Sequence, residues 1–365
     1  MDAIDSNTNR RLLVFHPGAI GDIITVFPAL DLLRNVFDTI DIVCRSQCGQ
    51  LAVQLGVAGQ SMDSDAALFA AFYSGDDCPQ LERVVRRYGA FILFSRSDHA
   101  ARWIGRRHRA RIATLDPRPA GPAHRHITAT HIHGFRRAGL LQDNTRTQPI
   151  TPTACSLSRT VPVPERSGVI IHPGSGSAFK NWPTECFVTV SQMLQAREFD
   201  TVFIVGPAEQ SIERCLLEQA PGRIHRPVRL TELAEMMSTA AGYIGNDSGV
   251  SHLAGYLGLP SVVLFGPSNP ERWRPLGGRV AVLRSARDCP PCFERGQRAC
   301  PHRQCMTETR PDEVASRLLA LIEAENTAAY HRNTGPVPDT TTKHTWKGCH
   351  ATEPESHRPN PIAFQ

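Results

Sequence analysis

Several stretches of this chain carry side chains whose types and spacing can do chemistry. The densest is Ile244-Gly-Asn-Asp-Ser-Gly-Val-Ser-His-Leu-Ala254. It predicts a strand, a polar turn and a short helix that opens at Ser248-Gly249. A helix that opens on small residues aims free N–H groups and a positive dipole end at whatever lies above it, and phosphate suits that end. Ser248 adds a hydroxyl, Gly249 permits close backbone approach, and Asp247 and His252 flank the turn. The same residues also read as an ordinary N-cap with Asp or Ser as the capping side chain.

A second loop has the same character. Pro173-Gly-Ser-Gly-Ser177 follows an apolar run, Val169–His172, and Lys180 lies just beyond it. Gly176 and its neighbours free backbone N–H groups, Ser175 and Ser177 donate, and Lys180 supplies a point charge. It is not a Walker A loop, because the closing Gly-Lys-Ser/Thr is missing. The plainer reading is a flexible turn with a surface lysine. Two such loops after two strands of one sheet would face the same edge, which favours the phosphate reading.

Asp22 stands where an N-terminal strand turns into a helix, in His16-Pro-Gly-Ala-Ile-Gly-Asp22. A carboxylate there either points into a cleft or serves as a first-turn acid favoured by the dipole. Cys289, Cys292, Cys300 and Cys305 form C-x2-C-x7-C-x4-C, a set that would suit a tetrahedral zinc or iron site or a cluster of structural thiols.

The elements that must position these residues are predicted from periodicity. Leu12–Phe15 and Ile40–Cys44 read as buried strands around a helix over 23–37, with apolar residues at 23, 26, 27, 30, 33 and 37. This βαβ opening predicts a parallel sheet, without the G-x-G-x-x-G dinucleotide fingerprint. Residues 48–88 read as helices and loops, and Ala90–Phe94 as a strand. The Pro-, Ser- and Thr-bearing stretch 151–168 reads as an interdomain linker. The pattern then restarts, with strands at Val169–His172 and 201–206, a helix over 183–198, a Thr-capped helix over 231–240, a helix over 250–257 and a last one over 311–325. Residues 326–365 read as a disordered tail. The domains expected are therefore 1–155 and 156–325.

The chain has 365 residues, a formal charge of +5 and eleven cysteines. The basic excess is almost all Arg and suits anionic partners. Arg and His crowd the stretch 96–137, either lining a pocket for an anionic acceptor or forming a solvated basic face. No aromatic-interleaved basic run is present, which argues against nucleic acid. No signal-type segment or membrane-length apolar run is seen, so a cytoplasmic protein with cysteines as thiols or metal ligands is expected.

Together these residues resemble glycosyltransferase family 9, the ADP-heptose:lipopolysaccharide heptosyltransferases. The resemblance is carried by Gly18-Ala-Ile-Gly-Asp22 with Phe27-Pro-Ala-Leu30, by His172-Pro-Gly174 with Lys180-Asn-Trp-Pro183, by Gly245–Ala254, and by Phe265-Gly-Pro267 before the Cys-Pro-x-Cys segment. Ser248 stands where the family usually has Thr, which keeps a hydroxyl. The match is weak between about 48 and 150. The resemblance implies an α/β fold of the GT-B type, two Rossmann-like domains with parallel sheets facing a central cleft. It implies an ADP-sugar donor in the second domain and an anionic glycan or glycolipid acceptor in the first, with inversion and no required metal. It further implies Asp22 as base and Lys180, Ser175, Gly176, Ser248 and Gly249 around the leaving diphosphate. Asp247 would lie at the donor sugar, Glu209 near the adenosine ribose, and His252 at phosphate or holding the loop. Peripheral contact with the inner membrane surface would fit the Arg-rich half. Rival readings are a GT-B-type epimerase, a transferase using another nucleotide sugar, or a non-catalytic nucleotide- or glycan-binding protein.

Overall fold

In the computed structural model, residues 9–119, 124–142, 167–207, 209–220, 223–287, 289–296, 300 and 302–334 are described. The boundary expected at 155/156, almost all of the linker and the tail from 335 onward lie outside them.

The chain builds two parallel sheets. The first contains β1 (Arg11–Phe15), β2 (Thr39–Cys44), β3 (Ser61–Asp63), β4 (Ala90–Phe94) and β5 (Arg111–Leu115), in the order β3-β2-β1-β4-β5. The second contains β6 (Val169–His172), β7 (Thr201–Ile204), β8 (Ile224–His225), β9 (Gly242–Asn246), β10 (Ser261–Phe265) and β11 (Val280–Arg284), in the order β11-β10-β9-β6-β7-β8. Every recorded strand pairing is parallel. Winding direction reverses beside β1 in one sheet and between β6 and β9 in the other. Ligands of open α/β sheets collect beyond the carboxyl ends of strands at such reversals. Those ends carry Asp22, the 173–180 loop and the 246–249 turn.

The central strands are buried on both faces, as helix-covered parallel strands must be. Leu12, Val14, Ile42 and Ile92 pack one way with Leu30 and Leu33, and Leu13, Phe15, Phe91 and Leu93 pack the other way with Phe72 and Trp103. In the second sheet Ile171, Phe203 and Val262 pack with Trp182, Phe187 and Leu318. The first apolar cluster continues across the two halves, from Ile24, Phe27 and Leu30 to Leu253 and Tyr256, with the Phe27 and Tyr256 rings edge to face at 5.4 Å.

Some elements differ from expectation. The helix expected over 23–37 is two helices, Ile20–Ile24 and Phe27–Leu33. Pro28 has no N–H to continue the ladder, and its ring would meet the carbonyl of Ile24. Strands β3, β5, β8 and β11 were not expected. The helix at Leu230–Thr239 starts from Arg229 with no side-chain cap, so Thr231 is not the cap. The last helix, Pro311–Thr334, continues past 325.

Candidate functional site

Two strand-to-helix turns meet where the sheets face each other. After β1 the buried His16 donates its backbone N–H to Val43 O at 2.8 Å, which keeps the turn against the sheet. The chain then enters the helix Ile20–Ile24, and Asp22 falls in its first turn. Opposite it, β9 runs into Asp247 and the N-cap Ser248, whose Oγ accepts from Ser251 N–H at 3.3 Å. A Cβ on Gly249 would stand 2.8 Å from Gly21 N, and one on Gly21 would stand 3.3 Å from Gly249 Cα. The two helix starts touch only because both residues are glycine.

Three loops of the second half are tied together beneath this contact. Buried Asn246 accepts Trp182 N–H at 3.0 Å and donates to Pro173 O at 2.8 Å, joining the ends of β6 and β9. Lys180 reaches across to Asp247, with Nζ 2.8 Å from the backbone O and 3.0 Å from Oδ2. Its ammonium also lies 5.3 Å from the Phe293 ring centre. Ser268 Oγ donates to the same Oδ2 at 2.5 Å. Asp247 is thus held in one orientation by a cation and a hydroxyl.

Glu209 is equally committed. Its carboxylate accepts Gly206 N–H at 2.7 Å and lies 3.1 Å from His172 Nε2. A Cβ on Gly174 would overlap it. Burial alone would raise the Glu209 pKa, but the His172 hydrogen bond and charge, with the Gly206 N–H, bring it below the ordinary value. His172 Nδ1 is 3.5 Å from Ser248 Oγ, so Glu209, His172 and Ser248 run in line from the 206–209 turn to the helix start.

His252 is buried in the same helix, and burial lowers its pKa to about 4 against the opposing charges of Asp247 and Asp22. It also senses Lys180, so groups from both halves converge on this ring. It lines a narrow cavity between the halves with Thr25, His126 and Tyr256.

Of the expected donor residues, the structure brings Lys180, Asp247, Ser248, Gly249 and His252 together. Ser175 turns inward: its Oγ lies 2.8 Å from Ser177 O and 2.6 Å from Asn181 Oδ1 and accepts Ser177 N–H, so it organises its own loop. Gly176 is exposed, with open space where a Cβ would lie.

The zinc or iron site expected at Cys289, Cys292, Cys300 and Cys305 is not supported. Among the described residues no group of three or more His, Cys, Asp or Glu is placed to hold one. Cys289 and Cys300 are exposed, whereas Cys292 and Cys305 are half-buried. Burial, then the neighbouring cysteines, raise Cys292 and Cys305, whereas hydrogen bonds from the Arg303 and His302 backbone lower Cys300. The segment instead forms a wall beside the 173–180 loop. Phe293 N–H bonds Pro267 O at 3.0 Å, and Arg303 donates to Ala178 O at 3.0 Å and Asn181 O at 2.7 Å.

Arg118 was missed in the sequence. It follows β5, and its guanidinium grips Asp22 with two bonds, Nε to Oδ1 at 3.1 Å and Nη2 to Oδ2 at 2.8 Å. It lies in Asp116-Pro-Arg-Pro119, just beyond the end of β5, a strand the sequence did not announce. Much of the Arg- and His-rich stretch is structural: Arg96 pairs with Asp116, Arg102 with Asp98, Arg107 with Asp77, and His131 is buried.

The family model described as glycosyltransferase family 9 (heptosyltransferase) matches residues 139–302. Lipopolysaccharide heptosyltransferase 3 of Escherichia coli (strain K12) is 32% identical over 114 residues, which is 29% of this chain and 33% of that protein. The chain spans about a third to a half of the length of the curated relatives it matches. A glycosyl transferase family 9 structure from Veillonella parvula DSM 2008 superposes with a TM-score of 0.67 at 19% identity, covering 88% of this chain and 100% of that one. The E. coli ADP-heptose lps heptosyltransferase II structure gives 0.65 at 18%, covering 87% and 99%. These likenesses show the two-domain, parallel-sheet fold expected.

Proposed function

We infer from the match of residues 139–302 to the glycosyltransferase family 9 model that the chain is a member of that family, an inverting transferase moving heptose from ADP-heptose to a lipopolysaccharide-core or related glycan. The observation that carries this reading is the contact of Gly21 with Gly249. It sets a carboxylate-bearing turn of one half against an anion-seeking helix start of the other. The match to relatives named for heptose transfer to lipopolysaccharide or lipooligosaccharide supports the donor and acceptor classes.

Each residue then has a task. The acceptor hydroxyl attacks the anomeric carbon, and Asp22 takes its proton. The bond from that carbon to the β-phosphate oxygen breaks, and charge gathers on ADP. The helix start at Ser248-Gly249, the N–H groups around Gly176 and the Lys180 ammonium receive that charge. Asp247, steadied by Lys180 and Ser268, faces the donor sugar. Glu209 faces the adenosine ribose, with His172 setting its orientation. His252 stays neutral and holds the turn. Nothing in this sequence of steps calls on a cofactor.

No helix among the described residues is long and apolar enough to cross a membrane. Contact with an anionic membrane surface belongs to the proposal, and the exposed Arg102, Arg106 and Arg109 support it.

A thermal shift with ADP, UDP and GDP side by side tests the donor. Selective stabilisation by ADP is expected. A preference for UDP or GDP would keep the fold and remove ADP-heptose, and no response to any would favour a protein without a nucleotide-sugar donor.

A further inference from the structure

We propose that Arg118 masks the Asp22 carboxylate until an anionic group of the acceptor draws the guanidinium away, so that the base is released only when an acceptor is in place. This rests on Asp22 being the base. Both Asp22 oxygens are engaged by the guanidinium, at 3.1 and 2.8 Å, so a cation holds two of the carboxylate's four lone-pair sites and opposes the transfer of a proton to it. The pair is graded in exposure. The Asp22 side chain is 13% accessible and Arg118 61%, which puts the cation at the solvent side and the carboxylate beneath it.

The backbone of the segment is anchored independently of the side chain. Arg118 N–H bonds Asp116 Oδ1 at 2.8 Å, and Pro119 O accepts from Arg272 of the other half. The recorded hydrogen bonds of the guanidinium go to Asp22. Neighbouring arginines pair with acids that have no part in the proposed reaction, Arg96 with Asp116 and Arg102 with Asp98. The guanidinium is 61% accessible, so a phosphate or carboxylate on an incoming acceptor can reach it and offer the same two-bond pairing that Asp22 does. Once it does, Asp22 is free to take the proton from the attacking hydroxyl. With no acceptor present, the masked carboxylate does not activate water. Donor hydrolysis is thereby held down: in it water would attack the anomeric carbon, the carbon–oxygen bond to the β-phosphate would break with its electron pair leaving on ADP, and the proton would pass to Asp22.

ADP release from ADP-heptose without acceptor tests this in the full chain. Arg118→Gln should raise the rate about fivefold or more over wild type, and adding Asp22→Asn should return it to the wild-type level. Acetate or inorganic phosphate, at saturating donor, should raise release by wild type and leave Arg118→Gln unchanged. The more effective anion identifies the acceptor group as carboxylate or phosphate. If wild type binds ADP and transfers heptose while Arg118→Gln, still stabilised by ADP, shows no rise, the mask alone is overturned. If wild type neither binds ADP nor turns over the donor, both readings fall.

Discussion

Lys180 and Asp247 form a closed pair, with Nζ 3.0 Å from Oδ2 and 2.8 Å from the backbone oxygen of the same aspartate. Both side chains are largely shielded from water. The lysine that is proposed to meet the diphosphate is therefore already aimed by the residue proposed to meet the sugar. Replacing Lys180 by Ala removes a charge from the donor site and leaves Asp247 with Ser268 as its remaining side-chain partner. The expected loss is about 10- to 100-fold in ADP affinity, since charge-assisted phosphate contacts are strong. Isothermal titration with ADP measures it, and unchanged affinity would remove Lys180 from the phosphate site. Lys180→Arg should recover only part, because a planar fork does not replace a point charge in this space.

Gly249 is a point of close approach between the halves. A methyl group there meets Ile20 and the Gly21 backbone, which cannot move like the end of a flexible side chain. Gly249→Ala should cost about 1–3 kcal/mol, the range for overpacking. Denaturant unfolding measures the loss, and donor binding should fall with it because the helix start is displaced. A variant with wild-type stability and affinity would show that the halves stand further apart than this contact.

The legible parts of the fold were those with a single physical demand. β4 and β6 are short apolar runs that lie buried throughout, and both were read directly from sequence. The edge strands β3, β5 and β11 are partly or largely exposed, so no continuous apolar run announced them. The turn at 246–249 was legible as a helix start because small polar residues before an apolar run favour an N-cap, which Ser248 provides. Arg118 was not, because its partner lies 96 positions away along the chain and nothing local in Pro117-Arg-Pro119 points to Asp22. The inward turn of Ser175 was hidden for a related reason: a hydroxyl that closes its own loop and one that awaits a ligand have the same sequence.

Three buried histidines around the site make the protein acid-sensitive. Burial lowers His16 to about 4, His131 to about 3 and His252 to about 4, all from an ordinary value of 6.5. Nε2 of His16 and of His131 has no hydrogen-bond partner among the described residues, so an added proton there meets no acceptor. Below pH 6.5 the unfolded chain takes up protons that these folded histidines refuse until about pH 4. Stability is thus full above that window and falls through it as pH drops, by about 1.4 kcal/mol per unit for each histidine. Urea unfolding at pH 7, 6, 5 and 4 should show a slope near three protons. His131→Gln should reduce it by about one. A flat profile between pH 6.5 and 4 would mean that these rings are hydrated and already charged.

Asp22 offers the sharpest separation of binding from chemistry. It lies in the first turn of one half, whereas Lys180, Ser248 and Gly249 belong to the other. Asp22→Asn keeps the size of the side chain and removes its negative charge, so the ADP-induced thermal shift should be unchanged. Turnover should fall by about 100-fold or more, the usual contribution of a positioned general base. The fall should appear in kcat with little change in the KM for ADP-heptose, because the interaction lost is one made at the acceptor proton in the transition state. Arg118 would keep one hydrogen bond to the amide oxygen, so the variant should fold with near-wild-type stability. Full turnover by a folded Asp22→Asn protein would remove Asp22 as the base and leave its pairing with Arg118 as a structural contact.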